Sequence, residues 1–355
     1  MEKLKEIVSK FEIKGNVTDI RPMGTGLIND SYVVATDGGD YVLQRINHHV
    51  FKNVDLLQDN IEKVTRHIRR KLEERGEPDV DRKVLSFIGC GDKTYYFDGE
   101  SYWRVMVYIR DSVTHESVTP DYAYCAGKTF GEFQYMLSDM DETLGETIPD
   151  FHNMEFRLRQ LREAVAADRV GRCAGVKDII DAFLSYADEM CLAERLYREG
   201  KLPKRICHCD TKVNNMLFDR DGNVLCVIDL DTVMPSFVFS DYGDFLRSAA
   251  NTGLEDDPNL DNVSFNMEVF KAFTKGYLES ASRFLTDVER DNLHYAAALF
   301  PYMNGVRFLA DYLDGDNYYK TQYSEHNLVR TRSQFKLFES VRSHYPEMID
   351  YIKSL

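Results

Sequence analysis

The chain has 355 residues, of which 43% are hydrophobic and 29% charged, a balance that allows a sizeable core and argues against long disordered tracts. Its formal net charge of -15 lacks the positive field that draws proteins to nucleic acid, and no run of eighteen apolar residues is present to cross a membrane. Neither nucleic acid nor a membrane is therefore an expected partner, and an anionic ligand would need a local cation or oriented backbone N–H groups to offset the repulsion.

In chain order, "MEKLKEIVSKF" places Leu4, Ile7, Val8 and Phe11 at helical spacing and reads as a surface helix rather than a signal peptide. The runs "VTDIRPM" and "SYVVATDGGDYVLQRIN" read as strands, the second split into a hairpin at Asp37-Gly38-Gly39, with a glycine loop "GTGLIND" between them. Leu57, Ile61, Val64 and Ile68 predict a helix from Val54 to about Glu74. Three more strands are expected in "RKVLSFIG", "KTYYFDGE" and "YWRVMVYIR". Helical periodicity then dominates at about 121–137, 155–167 and 176–199, gives way to short β-like segments within 205–232, and returns at about 241–251, 267–282, 289–313 and from 326 to the end. The pattern predicts an α+β fold with a small β-rich lobe at residues 1–108, a larger helical lobe at 109–355, and a cleft between them. Seven scattered cysteines fit reduced thiols in a cytoplasmic protein.

The segment "ICHCDTKVNNML" poses a choice of chemistry. Cys207, His208 and Cys209 resemble metal ligands, but on an extended strand the two thiols face one side and the imidazole the other. Structural zinc sites also use wider spacings and a second ligand pair, so buried thiols are the plainer reading. Asp210, Asn215 and Asp229 form a different set. Phosphoryl transfer requires an oriented acceptor hydroxyl and phosphate charge neutralised by magnesium on oxygen ligands. The order His-x-Asp-x(4)-Asn, followed fourteen residues later by Asp229 at the end of an apolar run, matches a kinase-like catalytic loop and metal-binding segment.

"HCDTKVNN" with "VIDLDTVMP" resembles the signature of the aminoglycoside phosphotransferase superfamily, small-molecule kinases with a bilobal protein-kinase-like fold. Further segments, "GLINDSYVV", "YVLQRIN", "DYGDFLRSAANTGLEDD", "VRFLADYLDGDNYY" and "EHNLVRTRSQFKL", are similar to its N-acetylhexosamine 1-kinase branch over most of the chain. The resemblance implies a kinase using ATP and Mg2+ to phosphorylate the C1 hydroxyl of an N-acetylhexosamine sugar. Asp210 would be catalytic, with Asn215 and Asp229 holding magnesium. Gly24, Gly26 and Asn29 of the glycine loop would cover the nucleotide phosphates, although Asn29 stands where a third glycine is usual. Val107 and Ile109 would hold adenine through backbone groups, and Lys212, Asp231, Arg307 and Tyr318 would contact substrate. A salt bridge to Asp311, one helical turn on, is the structural alternative for Arg307. "YVLQRI" carries Gln44 and Arg45 where protein kinases place a phosphate-contacting lysine, so the replacing cation is open between Arg45 and another residue, with Glu62 a candidate partner. Another acceptor on the same fold (aminoglycoside, choline, homoserine or another sugar) and a catalytically dead nucleotide-binding module are the competing functions. A monomer or small homo-oligomer is expected.

Overall fold

A computed structural model describes residues 2–24, 29–115 and 117–355. Contacts divide the chain into two compact units: residues 1–114, 139–149 and 214–234 form one, and residues 115–138, 150–213 and 235–355 the other. The predicted lobe boundary at 108/109 follows the course of the chain, whereas these units group segments by contact, so two later stretches join the N-terminal one.

The first unit opens with helix α1 (Glu2–Val8) and strands β1 (Val17–Pro22), β2 (Asp30–Thr36) and β3 (Asp40–Ile46). Helix α2 (Val54–Glu74), a short α3 (Val80–Lys83), β4 (Tyr95–Phe97) and β5 (Tyr102–Val107) follow. The five strands form one antiparallel sheet in the order β1-β2-β3-β5-β4. Alternation along the strands separates its two faces. Leu43, Trp103 and Val105 pack with Ile7, Val8 and Phe11 in a core on one side. The intervening residue Arg104 points to the other side, where it meets Gln58 of α2. Asn53 caps α2 by accepting a hydrogen bond from Leu56 N.

The expected strand over "RKVLSFIG" is not regular. Its first residues form α3, and the rest runs beside β5 with Ile88 N bonded to Val105 O and Val107 N to Ser86 O. The free edge of β5 is shared, since β4 pairs with its first half at Tyr102–Arg104. Each neighbour therefore has only part of a ladder. The hairpin β7 (Met216–Phe218) and β8 (Val224–Val227) completes the unit.

The second unit contains α4 (Pro120–Leu137), α5 (Met154–Ala167), α6 (Lys177–Ser185), α7 (Ala187–Met190), α8 (Leu192–Arg198) and β6 (Arg205–Cys207). After β9 (Met234–Ser236), which crosses from the first unit, come α9 (Phe239–Ala249), α10 (Met267–Ala281), α11 (Asp287–Asp291), α12 (Leu293–Asp314), α13 (His326–Ser343) and α14 (Tyr345–Ser354). The helix expected over 176–199 is broken into three. Tyr302 and Tyr295 donate their hydroxyls to the carbonyls of Phe183 and Met190, so side chains satisfy groups that a continuous helix would bond internally. The C-terminal helix breaks at His344, where Pro346 starts the next one.

Candidate active site

In the first unit the β7–β8 hairpin sets out the expected metal ligands. Met216 pairs with Val227, and Ile228 N bonds to Asn215 O at 2.9 Å, so Asn215 and Asp229 come from the two open ends of one hairpin. Asp229 is exposed and left-handed, at φ 60°, and leads into a tight turn over Leu230–Thr232. Aspartate tolerates this conformation better than most residues. An amide and a carboxylate are hard oxygen donors that suit magnesium, leaving its other positions to phosphate oxygens and water. Among the described residues no group of three or more His, Cys, Asp or Glu is arranged to hold a metal, and a magnesium site completed by a nucleotide does not need one.

Two residues after Asp229 the environment reverses. Asp231 is 2% exposed and lies 2.6 Å from Nη2 of Arg104, itself 2% exposed. The Oδ1 atom in that contact accepts no hydrogen bond of regular geometry, so the interaction is ionic rather than a directed bond. Its Oδ2 accepts from Asn29 Nδ2 at 2.7 Å, and Asn29 Oδ1 accepts from Asn47 N at the end of β3. Arg104 also donates to Gln44 Oε1 from Nε and Nη2 and to Gln58 Oε1 from Nη1. Arg45 is exposed and bonds Asp30, so the buried cation beside Gln44 is Arg104. Glu62 reaches it only indirectly, through Thr94 and Gln58. Asn29 and Asp231, expected at nucleotide and substrate, are thus joined to each other in the interior.

Gly24 is exposed at φ 59°, and Gly26 lies outside the described residues. Val107 N and Tyr108 N are bonded to Ser86 O and Asp40 O. Among the described residues the Ile109 N–H has no partner.

In the second unit the loop that carries Asp210 is built around Asp241 on α9. Its Oδ2 accepts from His208 N at 3.0 Å and Gln134 Nε2 at 2.8 Å, and its Oδ1 from Cys209 N at 2.8 Å. Thr211 Oγ1 donates to the Asp241 carbonyl. Burial pushes the Asp241 carboxyl up, against the pull of His208 and these N–H groups. His208 is fully buried, edge-on to Phe130 and Phe133, and its Nδ1 accepts from Asp210 N at 3.3 Å. This geometry makes it a scaffold for the loop. The Cys207 and Cys209 thiols are buried and pushed well above their usual range by that burial; Cys207 Sγ donates to Phe237 O. Asp210, partly exposed, pairs with Lys212 at 2.5 Å. Burial opposes the Lys212 charge, but Asp210 and Asp244 outweigh it and hold its pKa above the usual lysine value. Arg247 ties Asp244 to Glu255.

The same unit holds a cavity of about 410 Å³ lined by Arg157, Arg307, Asp311, Tyr318 and Tyr319 among others. The salt bridge that Asp311 offered to Arg307 does not form. Asp311 instead accepts from the backbone N–H groups of Asn317, Tyr318 and Tyr319 and from Asn327 Nδ2. Arg307 keeps one hydrogen bond, to Asn304 Oδ1, and lies over the Phe151 and Tyr319 rings. Arg157 donates to Phe151 O and Gln160 Oε1, and burial together with the Arg307 charge pulls its pKa down to about 10. No carboxylate lies within ion-pair distance of either guanidinium among the described residues. Two further buried polar atoms, His152 Nδ1 and Tyr319 Oη, have no hydrogen-bond partner among the described residues. Tyr318 is 69% exposed beside this cavity.

The reading of the sequence missed Arg104, Asp241, Arg157 and His152. Arg104 had a visible signal, a lone arginine in the apolar run "YWRVMV". Asp241 had a weaker one, in "FSDYGDFL". The other two stand among ordinary helix and loop residues and had none.

The sequence matches the phosphotransferase enzyme family (APH) over residues 19–273. Solved structures share the fold over nearly the whole chain. An aminoglycoside phosphotransferase from Alicyclobacillus acidocaldarius has 14% identity and a TM-score of 0.63, covering 99% of this chain and 96% of that one. A choline/ethanolamine kinase family protein from Mesorhizobium loti has 14% identity and a TM-score of 0.61, covering 100% and 99%. A spectinomycin phosphotransferase, solved with ADP and spectinomycin, has 13% identity and a TM-score of 0.56, covering 100% and 98%. The chain belongs to the phosphotransferase enzyme family and has its α+β, protein-kinase-like fold.

Proposed function

We propose that the protein is an ATP-dependent kinase that transfers the γ-phosphoryl group to the C1 hydroxyl of an N-acetylhexosamine. The sugar assignment rests on the similarity of its segments to N-acetylhexosamine 1-kinases, and one structural observation accords with it. Arg307 and Arg157 line the cavity without a carboxylate partner. Glu163, Asp311 and Asp314 share the lining, so charge alone does not select the acceptor, but the two unpaired guanidinium groups donate well to the hydroxyls and N-acetyl oxygen of a neutral sugar.

In this reading residues 1–108 carry the nucleotide and residues 109–355 the acceptor and catalytic loop. The Ile109 N–H and nearby backbone hold adenine, and Gly24 and Gly26 belong to the phosphate-covering loop. Asp210 accepts the proton of the acceptor hydroxyl and orients its oxygen toward phosphorus, while Lys212 beside it offsets the charge that develops during transfer. Asn215 and Asp229 hold magnesium, which when bound neutralises the phosphate oxygens. Free cysteines and dependence on ATP fit a cytoplasmic setting.

ATP consumption with magnesium, measured against N-acetylglucosamine, N-acetylgalactosamine, glucose, galactose, choline, ethanolamine and kanamycin, tests the assignment. Turnover with the N-acetylhexosamines supports it; turnover confined to choline, ethanolamine or kanamycin overturns it and restores the cationic reading.

A further inference from the structure

Protein kinases carry a lysine on the third strand of the small lobe and pair it with a glutamate on the following helix. Here the equivalent strand position is Gln44, and the cation stands across the sheet on the directly paired residue, Arg104. Its helix partner is Gln58, which is neutral. All three nitrogen positions of the guanidinium are occupied, by Gln44, Gln58 and Asp231. A guanidinium so enclosed is not placed to wrap a phosphate. It is placed to hold Asp231.

Asp231 lies in the turn that Asp229 begins, and that turn is fixed at three points. Before Asp229, Ile228 N bonds Asn215 O. Within the turn, Asp231 meets Arg104 and Asn29. After it, the Val233 carbonyl accepts from Asn60, a fully buried residue of α2 that also bonds Gly145 through both amide atoms. A left-handed non-glycine residue is held in place only by its surroundings, and here the charged contact lies two residues from the exposed carboxylate. Asn29 carries the link onward, since it joins Asp231 to the end of β3 through Asn47 N.

We propose that Arg104 is a positioning residue for the metal-holding turn: acting through Asp231 and Asn29, it fixes the Asp229 carboxylate relative to the strands of the nucleotide side, so that magnesium and ATP bind cooperatively. The inference rests on the phosphotransferase reading, but it requires no particular acceptor. Its consequence is thermodynamic. If the network sets the metal carboxylate, then loosening it lowers the factor by which magnesium tightens ATP binding, and reciprocally the factor by which ATP tightens magnesium. Residues that orient metal ligands without touching the ion typically change metal affinity about 10- to 100-fold when removed.

The test is calorimetric binding of ATP to the full chain with and without magnesium, alongside thermal unfolding. Asp231→Asn strands a buried guanidinium and is expected to lower stability. The double variant Arg104→Gln with Asp231→Asn removes both charges, so it is expected to regain stability while its magnesium-dependent tightening stays about 10-fold or more below wild type. Arg104→Lys, which keeps the charge but not the fork, is expected to lie between. A double variant that unfolds like wild type and also retains the wild-type tightening overturns the inference, because the pair would then serve packing alone. Wild-type protein that binds no ATP, with or without magnesium, overturns the kinase reading and this inference with it.

Discussion

Asp210→Asn preserves size but removes the carboxylate that is proposed to take the acceptor proton. It is expected to lower kcat by about 100- to 10,000-fold with ATP affinity little changed; a variant with wild-type kcat would remove Asp210 from the chemistry. Arg307→Met tests the cavity. Because Arg307 has no ion partner among the described residues and one hydrogen bond, its loss is expected to cost little stability. The KM for sugar should rise about 10- to 100-fold, the worth of a charged hydrogen bond to substrate, and an unchanged KM would place the sugar elsewhere. His152 offers a pH test. Burial first, then the charges of Arg307 and Arg157, press its pKa well below the usual histidine value. The unfolded chain therefore takes up a proton below about pH 6.5 that the folded chain refuses. Stability from this group is complete above that pH and declines as pH falls. Between pH 7.5 and 5.5 wild type is expected to lose up to about 1.4 kcal/mol more than His152→Leu in urea unfolding; equal losses would show that His152 protonates freely when folded.

At the scale of elements, the closest packing is between α4 and α10, which cross at glycines. A side chain at Gly276 would collide with the Tyr124 carbonyl, and one at Gly127 with that of Phe273. Backbone cannot retreat as a flexible side chain does, so Gly276→Ala is expected to destabilise by at least about 1–3 kcal/mol, and a variant that melts with wild type would contradict this crossing. Periodic elements were the legible ones. The hairpin at Asp37-Gly38-Gly39, the helix Val54–Glu74 and the short strands around "ICHCD" all appear where spacing and turn residues put them. What failed was continuity. Tyr295 and Tyr302, a hundred residues away in sequence, decide where α6 and α7 end, and the sharing of β5 decides why residues 86–88 form no full strand. Local periodicity carries no trace of either. The site divided in the same way. The spacing of Asp210, Asn215 and Asp229 encodes a loop and a hairpin, and that local structure is present. The pairing of Asp231 with Arg104 and of Asn29 with Asp231 left no trace in the sequence, because it depends on contacts between distant segments and on the strand register that places Gln44 opposite Arg104.

For the whole molecule, a chain of net charge -15 would need local positive charge or oriented N–H groups to bind a polyanionic nucleotide as proposed. Lys212 lies beside Asp210 among the described residues, and the cavity lining sets Arg157, Arg169 and Arg307 among Glu163, Asp311 and Asp314. Among the described residues no helix is long and apolar enough to cross a membrane. The family match establishes phosphotransferase ancestry over residues 19–273, and the proposed acceptor would distinguish this chain from neighbours named for choline, ethanolamine and aminoglycosides. One measurement bears on that most directly: phosphorus-coupled proton NMR of the product formed from N-acetylglucosamine or N-acetylgalactosamine with MgATP. A phosphate on C1 is expected, seen as phosphorus coupling to the anomeric proton. A phosphate on C6, or no sugar phosphate while another acceptor is consumed, would contradict it.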